Sequence, residues 1–450
     1  MVRGATTEAQ AAAQKVLAYA SAAGATQAEV LFSEGDSALT RFANSEIHQN
    51  VTERDAQVSL RFVDGRRVGC AATNRLDDEA LRRLAERAAA IARLQPEQEE
   101  ALELPEPGQV ALVTGASSQA TRDASPESRA AGAREVIAAA DAVGVLAYGS
   151  FTTSVERIGV INSKGVDVIE ERTSASLITV SMGGDGEAGY ASSSAVDVTE
   201  IDAAAIGREA AGRTRDSRGA VSIEPGDYQV VLEPYAVADL LETLGYVGFS
   251  ALAVQEDRSF HESGRVVGSN LVTIVDDSTD PAGLPASFDY EGVAKERVTL
   301  IERGICRDVV FDAQTAKRAG RRSTGHGLPA PNSYGPFPLN MLMAPGDASH
   351  EELVSGLDRG LIVTRFHYTN PVHPKLAIVT GMTRDGLFLV ERGEVVGPVR
   401  NLRFTQSYLA ALAGVEAVGR DRFRVSGDFS PVVVPAVRIA AFTFTGATEH

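Results

Sequence analysis

Two interruptions of the apolar pattern constrain the fold of this sequence more than any other feature. The first covers residues 96–124, where prolines, glutamines, serines and an acid-rich run oppose regular structure. The second is the Glu-Pro-Gly sequence at residues 224–226, which is typical of a turn. The sequence therefore predicts three units. They are an N-terminal α+β domain at 1–95, a middle α+β domain at 96–223 that begins with a linker at 96–124, and a C-terminal β-rich domain at 224–450.

Helical and strand-like spacings alternate within the first unit. Alanine, valine and leucine recur at helical spacing over residues 7–23 and stop before Gly24, which favours a helix end there. Asp64 and Gly65 favour a tight hairpin, and Asp77 is positioned to begin a second helix. Strands are predicted at 28–34, 38–44, 56–63 and 66–73.

The other two units are also mixed. Ser125 and the proline after it favour a helix that extends to about residue 143, and another helix is predicted at 199–215. The glycine- and serine-rich stretch at 183–194 predicts a mobile loop. Strands are predicted at 145–152, 155–162, 166–171 and 174–182. The predicted fold class is α+β, with an antiparallel sheet in the N-terminal region.

The C-terminal unit is predicted to be mainly β. A strand at 228–234 leads into a helix at 235–254, and short β-type runs separated by glycine, aspartate and asparagine follow it. Glu242 lies inside that helix, in the sequence LLETLGY, where an unpaired carboxylate would be costly to bury. Composition alone favours a glutamate that reaches solvent from the helix surface.

The charge balance limits the partners of this protein. It has 60 acidic and 43 basic residues and a net charge of -17, and such a surface repels phosphate backbones and anionic membranes. No apolar leader segment and no apolar run of about 18 residues occur. Cys70 and Cys306 stand far apart, as two reduced thiols would. We expect a cytoplasmic protein that binds neither nucleic acid nor membrane directly.

Common enzymatic signatures are missing from the sequence. It contains no phosphate-binding loop, no Gly-x-Gly-x-x-Gly pattern between a strand and a helix, no nucleophile elbow and no His-Glu-x-x-His zinc helix. His326, His367 and His373 could meet at a metal, although polar loop histidines are more commonly solvated or hydrogen-bonded to the backbone. The Thr-Arg-Asp-Gly sequence at residues 383–386 is typical of a hairpin turn with an internal Arg–Asp pair, or else of a substrate clamp.

Several long segments, in the same order, resemble the TldD/TldE (PmbA) peptidase family. The likeness extends over nearly the whole chain. It is carried by LTRFANSEIHQNVTERDAQVSLRFVDGRRVGCAATNRL at 39–76, QVVLEPYAVADLLETLGY at 229–246, TIVDDSTD at 273–280, FDYEGVAKERVTLIERG at 288–304, RRSTGHG at 321–327 and TGMTRDGLFLVERGEVVGPVRNLRF at 380–404. The resemblance implies an α+β N-terminal region, a β-rich C-terminal domain, dimers that enclose a chamber, and the degradation or trimming of peptides. In this family TldD carries zinc, and TldE is its metal-free partner.

The family's zinc helix is degenerate here. The first histidine of its His-Glu-x-x-x-His motif falls on Leu241, the glutamate on Glu242 and the second histidine on Tyr246. The remaining ligand of the family is a cysteine near the C-terminus, and residues 425–439 contain none. Leucine has no lone pair and neutral tyrosine is a weak substitute for imidazole, so the sequence predicts no metal in this chain.

The resemblance therefore implies a TldE-like subunit that is catalytically silent alone, a pseudoenzyme. We expect it to close the chamber and to bind an extended peptide by strand addition, while a TldD-type partner supplies the zinc. Arg384, Asp385, Asn401 and Arg403 are predicted to contact substrate with Tyr246, and the retained Glu242 is the candidate catalytic residue. Whether the chain forms a homodimer without its partner is left open.

Two other functions compete with this one. The chain could be a self-sufficient hydrolase, either with Glu242 as a general base beside Tyr246 acting on a peptide-like small molecule, or with a metal bound by the three histidines. It could also be a regulatory adaptor of the type once described as a modulator of DNA gyrase. The acidic surface permits binding to a protein that handles DNA without contact to the DNA itself.

Overall fold

The computed structural model describes residues 7–427 and 429–447. They form two sheets flanked by helices, one in each half of the chain. The first sheet has six strands and is entirely antiparallel, and the second has eleven strands and is mixed. The α+β fold class predicted from the sequence is therefore confirmed. Within the described residues no helix is both long and apolar enough to cross a bilayer.

The six-stranded sheet is built from residues 27–195 and has the order β3-β2-β1-β4-β5-β6. Its elements and their helices are α1 (Glu8–Ala22), β1 (Gln27–Ala43), β2 (Glu46–Asp64), β3 (Arg67–Thr73), α2 (Asp78–Leu94), α3 (Gln119–Arg122), α4 (Pro126–Asp141), β4 (Leu146–Asn162), β5 (Asp167–Met182), β6 (Ala188–Ala195) and α5 (Ala203–Asp216). Side chains cap the helices where the sequence predicts them, as when Asp77 accepts a hydrogen bond from the Ala80 amide. The first two predicted units share this sheet, because β1 pairs with β4 over Glu29–Phe42.

Three sequence-based expectations are wrong in this sheet. The runs at 28–34 and 38–44 form one continuous strand, and the four predicted strands at 145–182 form only two. The predicted loop at 183–194 contains β6, an edge strand paired with β5. Its small residues allow α5 to approach, because a side chain at Gly189 would come within 2.1 Å of the Ala210 carbonyl oxygen. A composition that indicated a loop thus reflects close helix packing.

The C-terminal half contains the remaining elements. They are β7 (Gly226–Leu232), α6 (Pro234–Gly248), α7 (Ala251–Gln255), β8 (Ile274–Asp276), β9 (Val298–Glu302), β10 (Ile305–Cys306), α8 (Ala313–Arg318), β11 (Met341–Met343), α9 (His350–Ser355), β12 (Arg359–His373), β13 (Ile378–Glu391), β14 (Glu394–Pro398), β15 (Leu402–Ser407), α10 (Tyr408–Ala413), β16 (Val415–Val425) and β17 (Val432–Ala447). The predicted helix at 235–254 is divided into α6 and α7, because Phe249 and Ala251 pair with the backbone of Val310.

Five strands of this half close on themselves. β17, β15, β13 and β12 are neighbours in that order, and β7 pairs with both β12 and β17. Closure removes the free edges of these strands. The largest apolar core of the protein lies here, and α6 is buried against β12 and β17 with Leu240, Leu241 and Leu244 in that core.

The Thr-Arg-Asp-Gly sequence at residues 383–386 does not form the predicted hairpin turn. It lies inside β13, where Val363 pairs with Leu387 and Arg365 pairs with Arg384. One residue of β12 therefore faces two residues of β13, which is a β-bulge. Asp385 has φ +59 and Gly386 has φ +127, and the positive angles absorb the extra residue.

A buried ion cluster joins the two halves. The Arg61 guanidinium of β2 lies 2.6 Å from Glu29 and 3.1 Å from Glu291, and all three side chains are almost fully buried. One cation balances only one of the two carboxylates. Burial accordingly raises the pKa of the Glu291 carboxyl to about 8, against the lowering effect of Arg61. Glu291 therefore retains a proton near neutral pH, while Glu29 pairs with Arg61.

We predict that Arg61→Met lowers the free energy of unfolding by about 3–5 kcal/mol, because it leaves the buried Glu29 carboxylate without its cation and removes the hydrogen bond to Glu291. Chemical denaturation followed by circular dichroism measures the change. Arg54→Met is the matched control, since Arg54 is an exposed residue of the same strand with only a 3.9 Å contact to Asp36. The control should change stability by less than about 0.5 kcal/mol. Equal effects of the two substitutions would contradict the role of the cluster.

Glu291 should also make stability depend on pH. Its pKa is about 8 in the folded protein and about 4.3 in an unfolded chain, so the folded state binds the extra proton between these values. The stabilisation that this proton gives to the folded state is complete below the pKa of the unfolded chain. It is lost as the pH rises through about 8. Between pH 6 and 8, the wild type should lose up to about 1.4 kcal/mol per pH unit relative to Glu291→Gln. Parallel stability curves for the two proteins would show that Glu291 is ionised throughout.

Candidate functional site

The helix that carries the degenerate zinc motif is α6. Proline at its first position and a run of small and apolar residues favour a buried helix, and most of its side chains are in the core. Leu241, which occupies the place of the first histidine, is fully buried among aliphatic neighbours. Its side chain has no lone pair to offer a cation, so one end of the motif is part of the hydrophobic core.

Glu242 does not reach solvent, so the solvent-facing interpretation is wrong. The side chain is only 9% exposed, and its Oε1 accepts hydrogen bonds from the amides of Phe429 (3.1 Å) and Ser430 (3.5 Å). Gly427 lies so close that a Cβ there would come within 2.0 Å of the same oxygen. The carboxylate therefore holds the segment between β16 and β17 against α6.

Tyr246, in the place of the second histidine, belongs to an aromatic cluster that the sequence analysis did not anticipate. The cluster consists of Tyr246, Tyr334, Phe337 and Phe429. Tyr246 stacks on Phe429 with ring centroids 6.1 Å apart and lies 6.2 Å from Tyr334, while Phe337 lies beneath, 4.9 Å from Phe429. Phe337 is buried and the other three are substantially exposed. The end of α6 thus presents stacked rings to solvent.

The donor set around this helix does not fit zinc. A tetrahedral site needs about four nitrogen, sulfur or carboxylate donors. Here the candidates are an aliphatic side chain, a carboxylate that accepts backbone hydrogen bonds, and a stacked phenol. Within residues 7–427 and 429–447 no group of three or more His, Cys, Asp or Glu side chains could hold a metal ion.

The four predicted substrate contacts lie on β13 and next to or on β15. Asp385 is buried and pairs with Arg365 of β12, whose guanidinium lies 4.4 Å from the centre of the Tyr190 ring. Arg384 is exposed, and its Nε lies 3.8 Å from Asp385. Asp385 therefore takes part in an internal ion pair behind the strand surface.

Asn401 and Arg403 flank the start of β15. The Thr383 hydroxyl donates to Asn401 Oδ1 (3.2 Å), which ties this residue to β13, and Arg403 is exposed. The structure thus brings Asn401 close to the bulge that contains Asp385. Neither these residues nor Glu242 and Tyr246 line any of the three cavities described below. Their assignment as substrate contacts stays a prediction.

The three histidines do not come together. His367 and His373 are on β12 with exposed or half-exposed side chains, whereas His326 is fully buried. His326 Nε2 lies 2.8 Å from Asp276 Oδ1 and its Nδ1 lies 2.9 Å from Thr324 Oγ1. The proposed metal site of the three histidines is therefore not formed.

Thr324, His326 and Asp276 are connected in the order hydroxyl, imidazole and carboxylate that nucleophilic hydrolases use. The Thr324 hydroxyl is not available for attack, however. Its oxygen accepts from the Phe311 amide (2.8 Å) and lies 3.2 Å from the Phe311 carbonyl, and Thr324 lines none of the three described cavities. Burial lowers the pKa of His326, which keeps the imidazole neutral. The arrangement supports the fold of this region.

Cavities of about 970, 400 and 250 Å³ lie between the two halves of the molecule, and the largest of these three is called the larger cleft. β6 and α5 form one wall, and α9 and β16 form the other. Charges of both signs line it, among them Glu209, Arg213, Arg422 and His350. The hydrogen bond that His350 Nε2 donates to the Glu233 carboxylate (2.7 Å) raises the pKa of His350. A cleft of this size and mixed charge can accommodate an extended peptide segment.

The free edge of β6 faces this cleft but is already occupied by side chains. The Tyr235 hydroxyl accepts from the Ser192 amide (3.2 Å), Arg213 Nη1 donates to the Tyr190 carbonyl (2.9 Å), and Arg424 Nη1 donates to the Ser194 carbonyl (2.9 Å). A peptide could pair with this edge only after those bonds break.

The smallest of these three cavities measures about 250 Å³ and also lies between the halves. Arg172 of β5, Tyr290, Lys295 and His326 line it, together with Phe429 of the aromatic cluster. It therefore adjoins the segment that Glu242 holds.

Comparison with known sequences defines the class of protein. Three family models match successive parts of the chain: the PmbA/TldA metallopeptidase domain 1 at 28–92, the central domain at 109–218 and the C-terminal domain at 225–446. Together they account for most of its length. The chain belongs to the PmbA/TldD metallopeptidase family, which confirms the resemblance seen in the sequence.

Individual relatives are distant. An uncharacterized protein of Methanocaldococcus jannaschii is 32% identical over 40% of this chain and 44% of its own length, and a metalloprotease of Methanothermobacter thermautotrophicus is 26% identical over 60% and 61%. The chain thus spans less than two thirds of these relatives. TldE from Thermococcus kodakarensis has a TM-score of 0.87 at 22% identity, covering 97% of this chain and 100% of TldE. A Thermotoga maritima protein solved under the name of a DNA gyrase modulator has a TM-score of 0.85 at the same identity and coverage. These two likenesses concern the fold.

We predict that Glu242→Ala lowers the free energy of unfolding by about 1–3 kcal/mol, because it leaves backbone amides at 429–430 without an acceptor. Glu242→Gln retains a carbonyl oxygen at the same place and should cost less than about 1 kcal/mol. Chemical denaturation measures both. Glu53→Ala, an exposed glutamate of β2, is the control and should have no measurable effect. An unchanged free energy of unfolding in Glu242→Ala would show that the carboxylate does not anchor this segment.

Proposed function

We propose that this chain is the non-catalytic, TldE-like subunit of a metallopeptidase complex in which a separate TldD-type homologue carries the zinc. The observation that carries the proposal is the donor set of α6. Leu241 is in the core, Tyr246 is stacked on Phe429, and the Glu242 carboxylate accepts backbone hydrogen bonds. A metallopeptidase needs a bound metal to activate water, and this helix lacks the nitrogen donors.

The role of Glu242 supports the same conclusion. In a hydrolytic site the carboxylate must be within hydrogen-bonding reach of an attacking water. Here Oε1 points to the amides of 429 and 430, and Glu242 lines none of the three cavities. Retention of the glutamate is therefore explained by its structural contact with this segment.

Peptide is the substrate class that this proposal assigns to the complex. The larger cleft offers length and charges of both signs, which suits peptides of varied sequence. Strand addition at β6 is disfavoured because Tyr235, Arg213 and Arg424 already bond that edge. We therefore infer that peptides are held chiefly by side chains of the cleft.

Reconstitution tests the proposal. The purified full-length chain should contain well below one equivalent of zinc by elemental analysis and should not cleave an unstructured peptide. Cleavage should appear on addition of a homologue with an intact His-Glu-x-x-x-His helix, at a rate above that of the homologue alone. About one equivalent of retained zinc together with peptide cleavage by this chain alone would refute the proposal.

Two variants of the complex separate the subunits' roles. Glu242→Gln in this chain should leave the cleavage rate unchanged, since its amide oxygen can still accept the backbone hydrogen bonds. The same substitution at the motif glutamate of the partner should abolish cleavage. A loss of about 100-fold or more with Glu242→Gln would instead favour the hypothesis that Glu242 is a general base.

A further inference from the structure

We propose that the cavity of about 250 Å³ is a binding site for a carboxylate group, with the Lys295 ammonium as its principal donor. The cavity lies where β4 and β5 of the first sheet meet residues 284–290 and 429–431 of the C-terminal half. Its volume of about 250 Å³ is below the roughly 300–1,000 Å³ of typical small-molecule sites. It can therefore admit the end of a molecule, or a molecule of about one ring and one polar group.

Lys295 is the unusual feature of this cavity. The side chain lines the cavity and is only partly exposed. Among all described residues, none makes a hydrogen bond or an ion pair within 4.0 Å with its Nζ. An ammonium in such a position loses hydration without gaining a protein acceptor, which is unfavourable unless a ligand supplies one.

Glu156 and Asp289 also line the cavity. Asp276 and Asp289 are the acids that act on the Lys295 charge, but neither of these two aspartates substitutes for that acceptor. Asp276 accepts from His326 Nε2 (2.8 Å) and from the Asn340 amide (2.7 Å). Asp289 accepts from three backbone amides, including that of Gly327 at 2.7 Å. These acids attract the Lys295 charge from a distance, while burial lowers the pKa of its ammonium. A ligand carboxylate in contact would favour the charged form of the lysine.

Tyr290 is a second donor at this cavity, and Arg172 forms part of the cavity wall. Tyr290 lines the cavity, and its hydroxyl has no hydrogen-bond partner in the described parts of the chain. Arg172 uses Nε for Glu170 (2.7 Å) and Nη2 for the Phe288 carbonyl (3.1 Å). Those bonds fix the guanidinium plane at the cavity wall. A carboxylate has two oxygens and can accept from Lys295 and Tyr290 at once.

Aromatic rings at the rim of the cavity indicate which chemical group of the ligand lies next to its carboxylate. Phe429 lines the cavity and also stacks on Tyr246, and both rings are partly exposed. An aromatic group next to the carboxylate would pack on these rings. Two kinds of molecule have this chemistry. One is a peptide with a C-terminal aromatic residue, and this alternative rests on the proposed function. The other is a free aromatic carboxylate.

Calorimetric titration of the full-length chain tests this site. The probes are acetyl-Ala-Ala-Phe with a free carboxylate, the same peptide with a C-terminal amide, and phenylacetate. The free acid should bind at least about tenfold more tightly than the amide, and Lys295→Met should weaken its binding by about tenfold or more. Lys15→Met removes an exposed lysine of α1 and should leave the affinity unchanged. Binding of phenylacetate with the same dependence on Lys295, without binding of the peptide, would identify the free carboxylate as the source.

Equal affinity for acid and amide, or an unchanged affinity with Lys295→Met, would overturn the site. Absence of binding by both the peptide acid and phenylacetate would overturn it as well. Tyr290→Phe retains the ring and should weaken binding of the acid about threefold, so it tests the site even if Lys295→Met does not fold. The titration needs no partner and no cleavage. Its failure is therefore distinguishable from a failure of reconstitution, which would refute the proposed function.

Discussion

Buried polar contacts hold the two sheets of this protein together, and the cavities lie between the same two halves. Arg61 of the first sheet pairs with Glu291 of the second half, and the Arg172 guanidinium donates to the Phe288 carbonyl. Glu170 accepts from the Ser287 amide at 3.2 Å. Such contacts require fixed geometry because an unpaired buried charge is costly. The two halves are therefore held in one relative arrangement, and the cavities between them have defined walls.

Helix α6 is packed as an element of the largest apolar core. One face of it supplies Leu241 to the largest apolar cluster, and the next residue, Glu242, anchors the start of β17 through the amides at 429–430. Where its relatives are named metalloproteases, this chain has hydrophobic and aromatic contacts. The Glu242 carboxylate thus has a structural role in holding the segment before β17.

Much of the fold was predictable from local pattern. The capped helices α1, α2, α4 and α5 lie close to the residues expected, since capping and amphipathic spacing act within a few residues. The segments at 183–194 and 383–386 were misjudged because strand pairing with β5 and β12 outweighed their turn-like composition. Of the candidate site, the loss of zinc donors could be seen in the sequence. The aromatic cluster and the isolated Lys295 could not, because their members are far apart along the chain.

The sequence by itself determined which chemistry is missing: residues 241 and 246 cannot supply imidazole nitrogen in any conformation. It also determined the family and the α+β class, which follow from motifs and periodicity along the chain. Only the tertiary structure decided what the remaining groups do. Whether Glu242 meets solvent or backbone depends on a contact with a residue 187 positions away, and Lys295 lies in a cavity whose walls come from both halves of the chain. Burial and long-range pairing set the energy of those groups, and neither is encoded in local sequence pattern.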